Sequence, residues 1–326
     1  MDNGFPLVTE PNMLTAMIAP PSMLGRMKKV LGGRSSSVAQ VLPRGTLSQV
    51  PWRKAGVRHK FNQIFFDIFE DVDCVVNERG RVVSCDVAGT IACDCHLSGM
   101  PDLTMSFCNP EVIRDCSFHP CVRYRRYERN NVVSFVPPDG EFQLMRYRVP
   151  LDETKGFDPP VRCRVMMNYD EEHSNAQIQI SLRLRPSNSV RSSRSGTIPR
   201  ARDLAVCVSL SSQTRALSNL VTSTGKAAFD SKTKTLRWKL PSEMKDRSTP
   251  TLTARVDLEG RRPRAVGDAA SELLAVRLRF NIPNASISGL RVDALNLTNE
   301  PYKPYKGVRA MVRAGAFQVR ASCSRN

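Results

Sequence analysis

The 326-residue sequence has no uncharged hydrophobic run near the roughly 18 residues that a membrane-spanning helix requires. Its first residues lack the cationic and apolar regions of a secretory signal and the glycine of a myristoylation site. We therefore expect a globular chain with room for about two domains, which meets membranes from the cytosolic side.

The sequence also lacks the short motifs of common catalytic and metal sites. Its 4 histidines form no His-x-x-Glu-His pair, and there is no Gly-x-Ser-x-Gly elbow or phosphate-binding glycine loop. The Pro-Pro-Asp-Gly sequence at 137–140 is a turn signal before it is a catalytic one. These absences predict that the protein is not an enzyme and needs no cofactor.

Cysteine is present, but no Cys-x-x-Cys pair occurs among the 10 cysteines, so free cytosolic thiols are the simpler interpretation. One stretch has several potential zinc ligands. Its Cys93 and Cys95 alternate within an apparent strand, whereas structural zinc sites usually take pairs of ligands two to four residues apart. We therefore predict no metal in this stretch. Its potential ligands are Cys85, Cys93, Cys95, His96, Cys108, Cys116, His119 and Cys121.

A formal net charge of +17 is the strongest bulk signal, since such a field attracts nucleic acid, acidic proteins or anionic membranes. The stretch from Ser181 to Arg202 has six arginines and no acid, and smaller clusters lie at 123–126 and 261–264. The serine-rich part at 187–197 is typical of a solvated loop. Aromatic residues are only 6%, and the longest basic tract has none, which argues against a nucleic-acid groove.

The first forty residues differ from the rest. Apolar residues recur on one helical face between Thr9 and Ile18, and Pro20-Pro21 ends the run. A second short helix is predicted over 23–31, and the residues at 32–49 are predicted to form a linker. Two short helices cannot bury their apolar faces alone, so this segment indicates the end of a domain that begins elsewhere.

From about Trp52 onward the hydrophobic period changes from helix to strand. Residues 177–184 alternate strictly between polar and apolar, and the same period-two pattern recurs at 252–258 and 274–280. Short apolar runs at 131–136 and 205–210 are typical of sandwich strands. The sequence therefore predicts an all-β architecture built from antiparallel sandwiches.

Five sequence blocks resemble, in order and spacing, the mu homology domain of the medium (mu) subunits of heterotetrameric clathrin-adaptor complexes. Within that family the Pro-Asp-Leu-Thr-Met-Ser-Phe block and the C-terminal tail are most similar to the type-three adaptor, whereas the middle of the chain matches weakly. The five blocks are Val50–Arg53, Phe65–Asp67, Leu97–Leu103, Phe118–Val122 and Phe135–Tyr147. The type-three block is Pro101–Phe107, and the tail runs from Tyr302–Val308 through Ala314–Arg320.

The resemblance implies an elongated immunoglobulin-like β-sandwich module in two subdomains. Subdomain A, which binds cargo, would comprise 50–151 and 288–326, and subdomain B, at 152–287, would be inserted between them. Residues 1–31 are similar to the helical C-terminal remnant of a longin-like domain, followed by the linker at 32–49. In this interpretation most of the longin-like domain is missing.

The resemblance also implies a function. Family members bind cytosolic tails of membrane cargo through a Tyr-x-x-bulky apolar signal, held as an added strand with two side-chain pockets. The expected partners are large and small adaptor subunits, cargo tails and an anionic membrane surface, but no nucleic acid. The expected location is cytoplasmic, peripheral on Golgi and endosomal membranes and coated vesicles, in transport toward the lysosome or vacuole. An adaptor-like scaffold that does not bind tyrosine signals remains the alternative.

Seven residues match the two pockets of the family. In the tyrosine pocket Phe65 would pack on the ring, Asp67 would accept the hydroxyl hydrogen bond and Arg309 would cover both. Phe65 and Asp67 are two apart on a strand, so they share a face. Taken singly, Phe65 would more often be a core residue, and Asp67 would serve as a solubilising residue of a strand edge. The apolar pocket would be formed by Phe66, Val292, Leu295 and Val308.

Three features of these positions complicate the match. Val292 and Leu295 are three apart, so a bulge is needed if both are to face one pocket. Some relatives use lysine at the position of Asp94 and a pocket-walling tryptophan at the position of Gly307. We expect these two differences to lower the affinity for a tyrosine signal, because the glycine removes about 25 cal/mol for each Å² of apolar surface lost.

Overall fold

The computed structural model describes residues 50–54, 56–149, 157–170, 175–184, 191–192, 200–242, 249–259 and 275–325. The predicted N-terminal helices, the linker before residue 50 and the basic cluster at 261–264 lie outside these ranges. No helix in the described part of the chain is long and apolar enough to cross a membrane.

The described chain is built almost wholly of β-strands, as the hydrophobic period predicts. It also contains a 3₁₀ turn, Pro110–Val112, and one short helix, α1, Tyr124–Asn130. The strands are β1 Gln63–Val76, β2 Val82–His96, β3 Asp102–Phe107, β4 Arg114–Phe118, β5 Val133–Phe135, β6 Gly140–Arg148, β7 Val161–Asp170, β8 Asn175–Leu184, β9 Arg191–Ser192, β10 Arg202–Ser209, β11 Thr214–Thr222, β12 Lys226–Asp230, β13 Thr235–Lys239, β14 Thr251–Leu258, β15 Ala275–Pro283, β16 Ala285–Ser286, β17 Val292–Thr298, β18 Tyr305–Arg320 and β19 Ser322–Arg325.

These strands form four sheets. The largest has nine strands in the order β12-β13-β10-β15-β18-β1-β2-β6-β4, and a five-stranded sheet follows the order β11-β14-β8-β7-β19. A three-stranded sheet, β17-β3-β5, and the pair β16-β9 complete the set. Their buried side chains join into one hydrophobic cluster, so the sheets share a continuous core.

Most of the predicted strands are confirmed. The alternating stretches at 177–184 and 252–258 lie in β8 and β14, and 205–210 overlaps β10. The apolar run at 131–136 shortens to β5 because α1 ends at Asn130 and Asn131 then adopts a left-handed conformation, with φ 54°. The helix itself was not expected, since its seven residues are mostly polar and only Tyr127 among them is buried.

The two ends of the described chain meet in the middle of the largest sheet. β1 pairs in parallel with β18, from Gln63 beside Tyr305 to Val76 beside Val319, and antiparallel with β2 on its other side. A parallel pair requires a long connection between its strands, and here that connection spans most of the chain. The nine-stranded sheet thus includes strands from both proposed subdomains, and the division into A and B stays a prediction.

Side chains on β1 alternate strictly between the core and the outer face. Ile64, Phe66, Ile68 and Glu70 are buried, whereas the odd-numbered residues from 65 to 71 are half-exposed. Since the neighbouring strands are paired in register, the odd-numbered face of β1 continues across β18 and β2. This outer face supplies most of the candidate functional site.

Candidate functional site

A groove of about 860 Å³ lies on the outer face of the largest sheet, where β18, β1, β2 and β6 are neighbours. Its size falls in the range of typical ligand sites. Three residues predicted for the tyrosine pocket, Phe65, Asp67 and Arg309, all line it. Its remaining lining residues are Phe69, Ala92, Cys93, Asp94, Glu141, Phe142, Tyr305, Gly307 and Val308.

Asp67 and Arg309 are partners across the parallel pair and form a bidentate ion pair. Arg309 Nε donates to Asp67 Oδ1 at 2.7 Å, and Nη2 donates to Oδ2 at 2.6 Å. These bonds and the carboxylate charge raise the pKa of Arg309. The Arg309 side chain is 77% exposed and the Asp67 side chain only 24%, so the guanidinium covers the carboxylate from solvent. A carboxylate held in this way keeps capacity for one more hydrogen-bond donor.

The apolar floor of the groove is aromatic. The ring of Phe65 lies over Gly307, where an added Cβ would come within 2.5 Å of Phe65 Cδ1. A larger residue at position 307 would therefore displace this ring. Tyr305, two residues earlier on the same face of β18, lies 5.8 Å from Phe65 between ring centroids and is 67% exposed. Phe65 and Tyr305 thus supply neighbouring aromatic rings at this part of the groove.

Beside this groove the first part of β18 has an open edge. β1 pairs with β18 from Tyr305 onward on one side, but β15 pairs with the other side only from Met311 onward. The amide of Asn284 extends this second contact to the carbonyl of Ala310. Within the described ranges, no strand pairs with 305–309 on that side. Its free backbone groups can accept an added strand.

The four residues predicted for the apolar pocket are less open. Phe66 is fully buried, with its ring 6.5 Å from that of Phe135, and Leu295 is also buried. Val308 pairs with Phe66 across β18 and β1 and is 46% exposed. The pairing of β17 with β3 slips between Val292 and Ala294, which is the irregularity that the three-residue spacing requires. Lys306 Nζ also donates to the Leu295 carbonyl and ties the two segments together.

Acidic side chains form the far wall of the groove. Asp94 is the β2 partner of Phe65, and Glu141 is the β6 partner of Asp94, so all three lie in one row across the sheet. Like charges placed directly opposite in an antiparallel pair repel each other. His96 Nε2, 3.1 Å from Asp94 Oδ1, is the potential cation beside this row.

Sequence reasoning missed Tyr305, Phe142 and Glu141 as groove residues. Tyr305 has the clearest signal, since it precedes Gly307 by two residues and must share its face of the strand. Phe142 and Glu141 reach the groove only because β6 pairs with β2, and that pairing of distant segments has no local signature.

Nine cysteines have no disulfide partner among the described residues, and Cys108 is the exposed one of these nine. Burial raises the pKa of Cys95 to about 11 and that of Cys163 to about 12, so both thiols stay protonated near neutral pH. Cys93 and Cys95 both point into the core.

Comparison of the sequence with known proteins shows the family to which the chain belongs. The family model of the adaptor complexes medium subunit family matches residues 50–321. The chain is 39% identical to the AP-3 complex subunit mu of Dictyostelium discoideum, and 36% identical to the AP-3 complex subunit mu-1 of Homo sapiens. Each alignment covers 98% of this chain and 72% of the relative.

A solved structure supports the fold independently. The yeast delta-COP-I mu-homology domain complexed with a Dsl1 WxWxV peptide matches with a TM-score of 0.55 at 12% identity. The match covers 80% of this chain and all of that domain. The family model and the AP-3 relatives together show that this chain belongs to the medium subunit family of vesicle-coat adaptor complexes.

Proposed function

We propose that the chain is the cargo-recognition subunit of its adaptor complex. Its ligand is a Tyr-x-x-bulky apolar signal in the cytosolic tail of a membrane protein. The observation that carries this proposal is the Asp67–Arg309 pair beside Phe65, directly next to the open edge of β18. A tyrosine peptide that binds as an extended strand needs three features. These are an aromatic surface for its ring, a carboxylate that accepts from its hydroxyl, and an unpaired strand edge for its backbone.

The spacing of the signal fits the two faces of the sheet. A peptide that adds to 305–309 as a strand points successive side chains to opposite faces. The tyrosine and the bulky residue are three positions apart, so they point to opposite faces. Phe65, Asp67 and Arg309 lie on the outer face, and Phe66 and Val308 lie on the inner face. The tyrosine pocket therefore lies on the outer face of the sheet and the apolar pocket on the inner face, both beside the open edge of β18.

The inner pocket needs some rearrangement. Phe66 is fully buried and Leu295 nearly so, whereas Val308 is exposed at the edge. A bulky peptide residue would contact Val308 first and reach Val292 and Leu295 by displacing the Lys306 contact to the Leu295 carbonyl. We expect this pocket to add less affinity than the tyrosine pocket, since it forms only on binding.

In the cell, the proposed subunit assembles with the large and small subunits of an AP-3-type complex. It acts in transport from Golgi and endosomes to the lysosome or vacuole, without enzymatic activity. The relatives named as AP-3 complex subunits support this assignment. In the solved yeast relative, a domain of this fold carries a bound peptide. Contact with both membrane and cargo would add to a modest peptide affinity.

A titration of the full chain with a fluorescent Tyr-x-x-Leu peptide tests the proposal. Replacing the tyrosine by alanine should abolish most of the binding, because the ring and the hydroxyl both lose their partners. Replacing the leucine should weaken it less. If neither replacement changes the affinity, the result favours an adaptor scaffold that does not bind tyrosine signals.

We infer that the basic surface of α1 contacts an anionic membrane. Arg125 and Arg129 are exposed there, and Tyr124 is exposed beside them. Each lysine or arginine near an anionic surface contributes about 1 kcal/mol. Binding to liposomes should therefore fall with salt and with the double variant Arg125→Glu, Arg129→Glu. The double variant Arg79→Glu, Arg81→Glu in the exposed β1–β2 turn is the charge-matched control and should bind like the parent. Binding that ignores acidic-lipid content contradicts the idea.

A further inference from the structure

Two histidines and an aspartate converge at one end of the largest sheet, outside the peptide groove. His59 precedes β1, His96 is the last residue of β2, and Asp139 lies in the turn before β6. One potential ligand atom from each lies within 4.8 Å of the other two, and all three residues are half-buried. His59 Nε2 is 2.7 Å from Asp139 Oδ1, and the two imidazole centroids are 5.3 Å apart.

The backbone that carries these side chains is fixed by its own hydrogen bonds. The His59 amide donates to Ser98 Oγ at 2.9 Å, and the Ser98 amide donates to Asn62 Oδ1 at 2.7 Å. The buried Arg53 donates to the carbonyls of Gly99 at 2.8 Å and Pro137 at 3.1 Å. Three distant segments are thus held in one place before any ligand binds, which lowers the cost of binding.

The sequence predicts no metal at the stretch that includes His96, but the structure brings that residue beside His59 and Asp139 from distant segments. We propose that His59, His96 and Asp139 bind a divalent transition metal, for which Zn²⁺ is the best match. Two imidazoles and one carboxylate are a common three-ligand set for zinc, with a fourth position left to water. Tetrahedral ligands about 2.0–2.1 Å from zinc lie a little over 3 Å from one another. The His59–Asp139 contact, at 2.7 Å, is already near that spacing, and the ligand atoms of all three residues lie within 4.8 Å of one another, so side-chain rotation would complete the set.

The surroundings favour a cation despite the charge of the whole chain. Asp139 contributes a charge to the cluster, and Asp94 Oδ1 lies 3.1 Å from His96 Nε2. A carboxylate beside a ring nitrogen is the contact that orients metal-bound histidines in many sites. Because Asp94 also lines the peptide groove, an ion here would connect the end of β2 to the groove wall. The site does not depend on the proposed peptide function.

Zinc titration of the full chain, stripped of metal by a chelator, tests the site by competition with a fluorescent zinc indicator. We expect one equivalent to bind. His59→Asn and Asp139→Asn should each lower the affinity at least about tenfold, and Asp94→Asn should lower it about tenfold to a hundredfold. His119→Asn is the matched control, since His119 is also half-buried but accepts from the Cys121 amide and packs on Phe142. Thermal unfolding of the metal-free variants checks that each is folded.

The free thiols are the competing zinc ligands, and cobalt distinguishes them. A Co²⁺ complex of nitrogen and oxygen ligands shows visible bands without the intense near-ultraviolet band of cobalt–thiolate bonds. The proposal predicts the first spectrum and its loss in His59→Asn. A thiolate band, zinc affinity that all the variants retain, or no uptake at stoichiometric zinc would each overturn the site.

Discussion

Two carboxylates on β1 have contrasting environments, one in the core and one in the groove that we propose binds a tyrosine signal. Asp67 and Glu70 are three residues apart and therefore lie on opposite faces. Glu70 is fully buried and accepts from the Tyr147 hydroxyl at 3.1 Å, from the Ser288 amide at 3.3 Å, and from the Ile287 amide and the Ser288 hydroxyl. Asp67 has a single arginine partner at the surface. Glu70 holds three segments together, whereas Asp67 is free to accept a ligand.

The largest effect is expected at Glu70. Replacing it by alanine leaves several buried donors without an acceptor, at about 1–3 kcal/mol for each unsatisfied group, so the free energy of unfolding should fall by at least about 3 kcal/mol. Urea unfolding followed by circular dichroism measures this loss. Glu78→Ala, in the exposed turn after β1, should stay within about 0.5 kcal/mol of the parent. Equal midpoints for the two variants would show that Glu70 has no structural role.

Asp67→Ala should affect binding and leave stability almost unchanged. Loss of a hydrogen bond to a charged group should weaken the tyrosine peptide by about 1.5–3 kcal/mol, whereas exposed ion pairs contribute about 0–1 kcal/mol to stability. Asp71→Ala is a close control, because Asp71 forms the same bidentate pair with Arg313, at 2.7 Å for both bonds, but does not line the groove. If Asp67→Ala and Asp71→Ala lower the peptide affinity equally, the loss comes from the change in net charge and not from a tyrosine pocket at Asp67.

Tyr305→Ala should weaken the same peptide by a smaller amount, about 0.5–1.5 kcal/mol, because one aromatic contact in the tyrosine pocket is lost. Fluorescence anisotropy with the Tyr-x-x-Leu peptide measures this change. Tyr124→Ala removes a similarly exposed tyrosine from α1 and should leave peptide binding unchanged. Unaltered binding by Tyr305→Ala would place the peptide elsewhere on the sheet.

The smallest effect is expected at the acidic row. Glu141→Gln removes one of two carboxylates that face each other across β2 and β6, so the free energy of unfolding should rise by about 0.2–1 kcal/mol. Thermal unfolding at low salt measures the gain, which should shrink at high salt. A loss of stability would indicate that Glu141 has a favourable partner in solution.

Much of the fold follows from local pattern. Strict alternation identifies β8 and β14, because a half-buried strand must place every second side chain in the core. The helix α1 was missed, since one buried tyrosine gives no helical period. The order of strands in the largest sheet could not be predicted from pattern alone, because pairings such as β1 with β18 join segments more than 200 residues apart and have no local signal.

The groove was predictable only in part. Phe65 and Asp67 share a face by simple alternation, but the expected position of Arg309 came from family resemblance and not from the chain's own chemistry. Asp94 and Glu141 become neighbours through the register of β2 with β6. The cluster of His59, His96 and Asp139 has no sequence motif either, since its members come from three separate segments. Sites assembled by sheet register are the ones that a motif search overlooks.

The most direct test of the outer face of β1 compares three forms of one signal peptide, with tyrosine, phenylalanine or phosphotyrosine, by calorimetry on the full chain. Tyrosine should bind best. Phenylalanine should bind more weakly because Asp67 then loses water without gaining a donor. Phosphotyrosine should bind worst, because nearly two negative charges would face Asp67, Asp94 and Glu141, and Arg309 is the one Lys or Arg among the described residues that line the groove. Equal binding of all three forms, or tightest binding of the phosphorylated form, would contradict a tyrosine pocket at Phe65, Asp67 and Arg309.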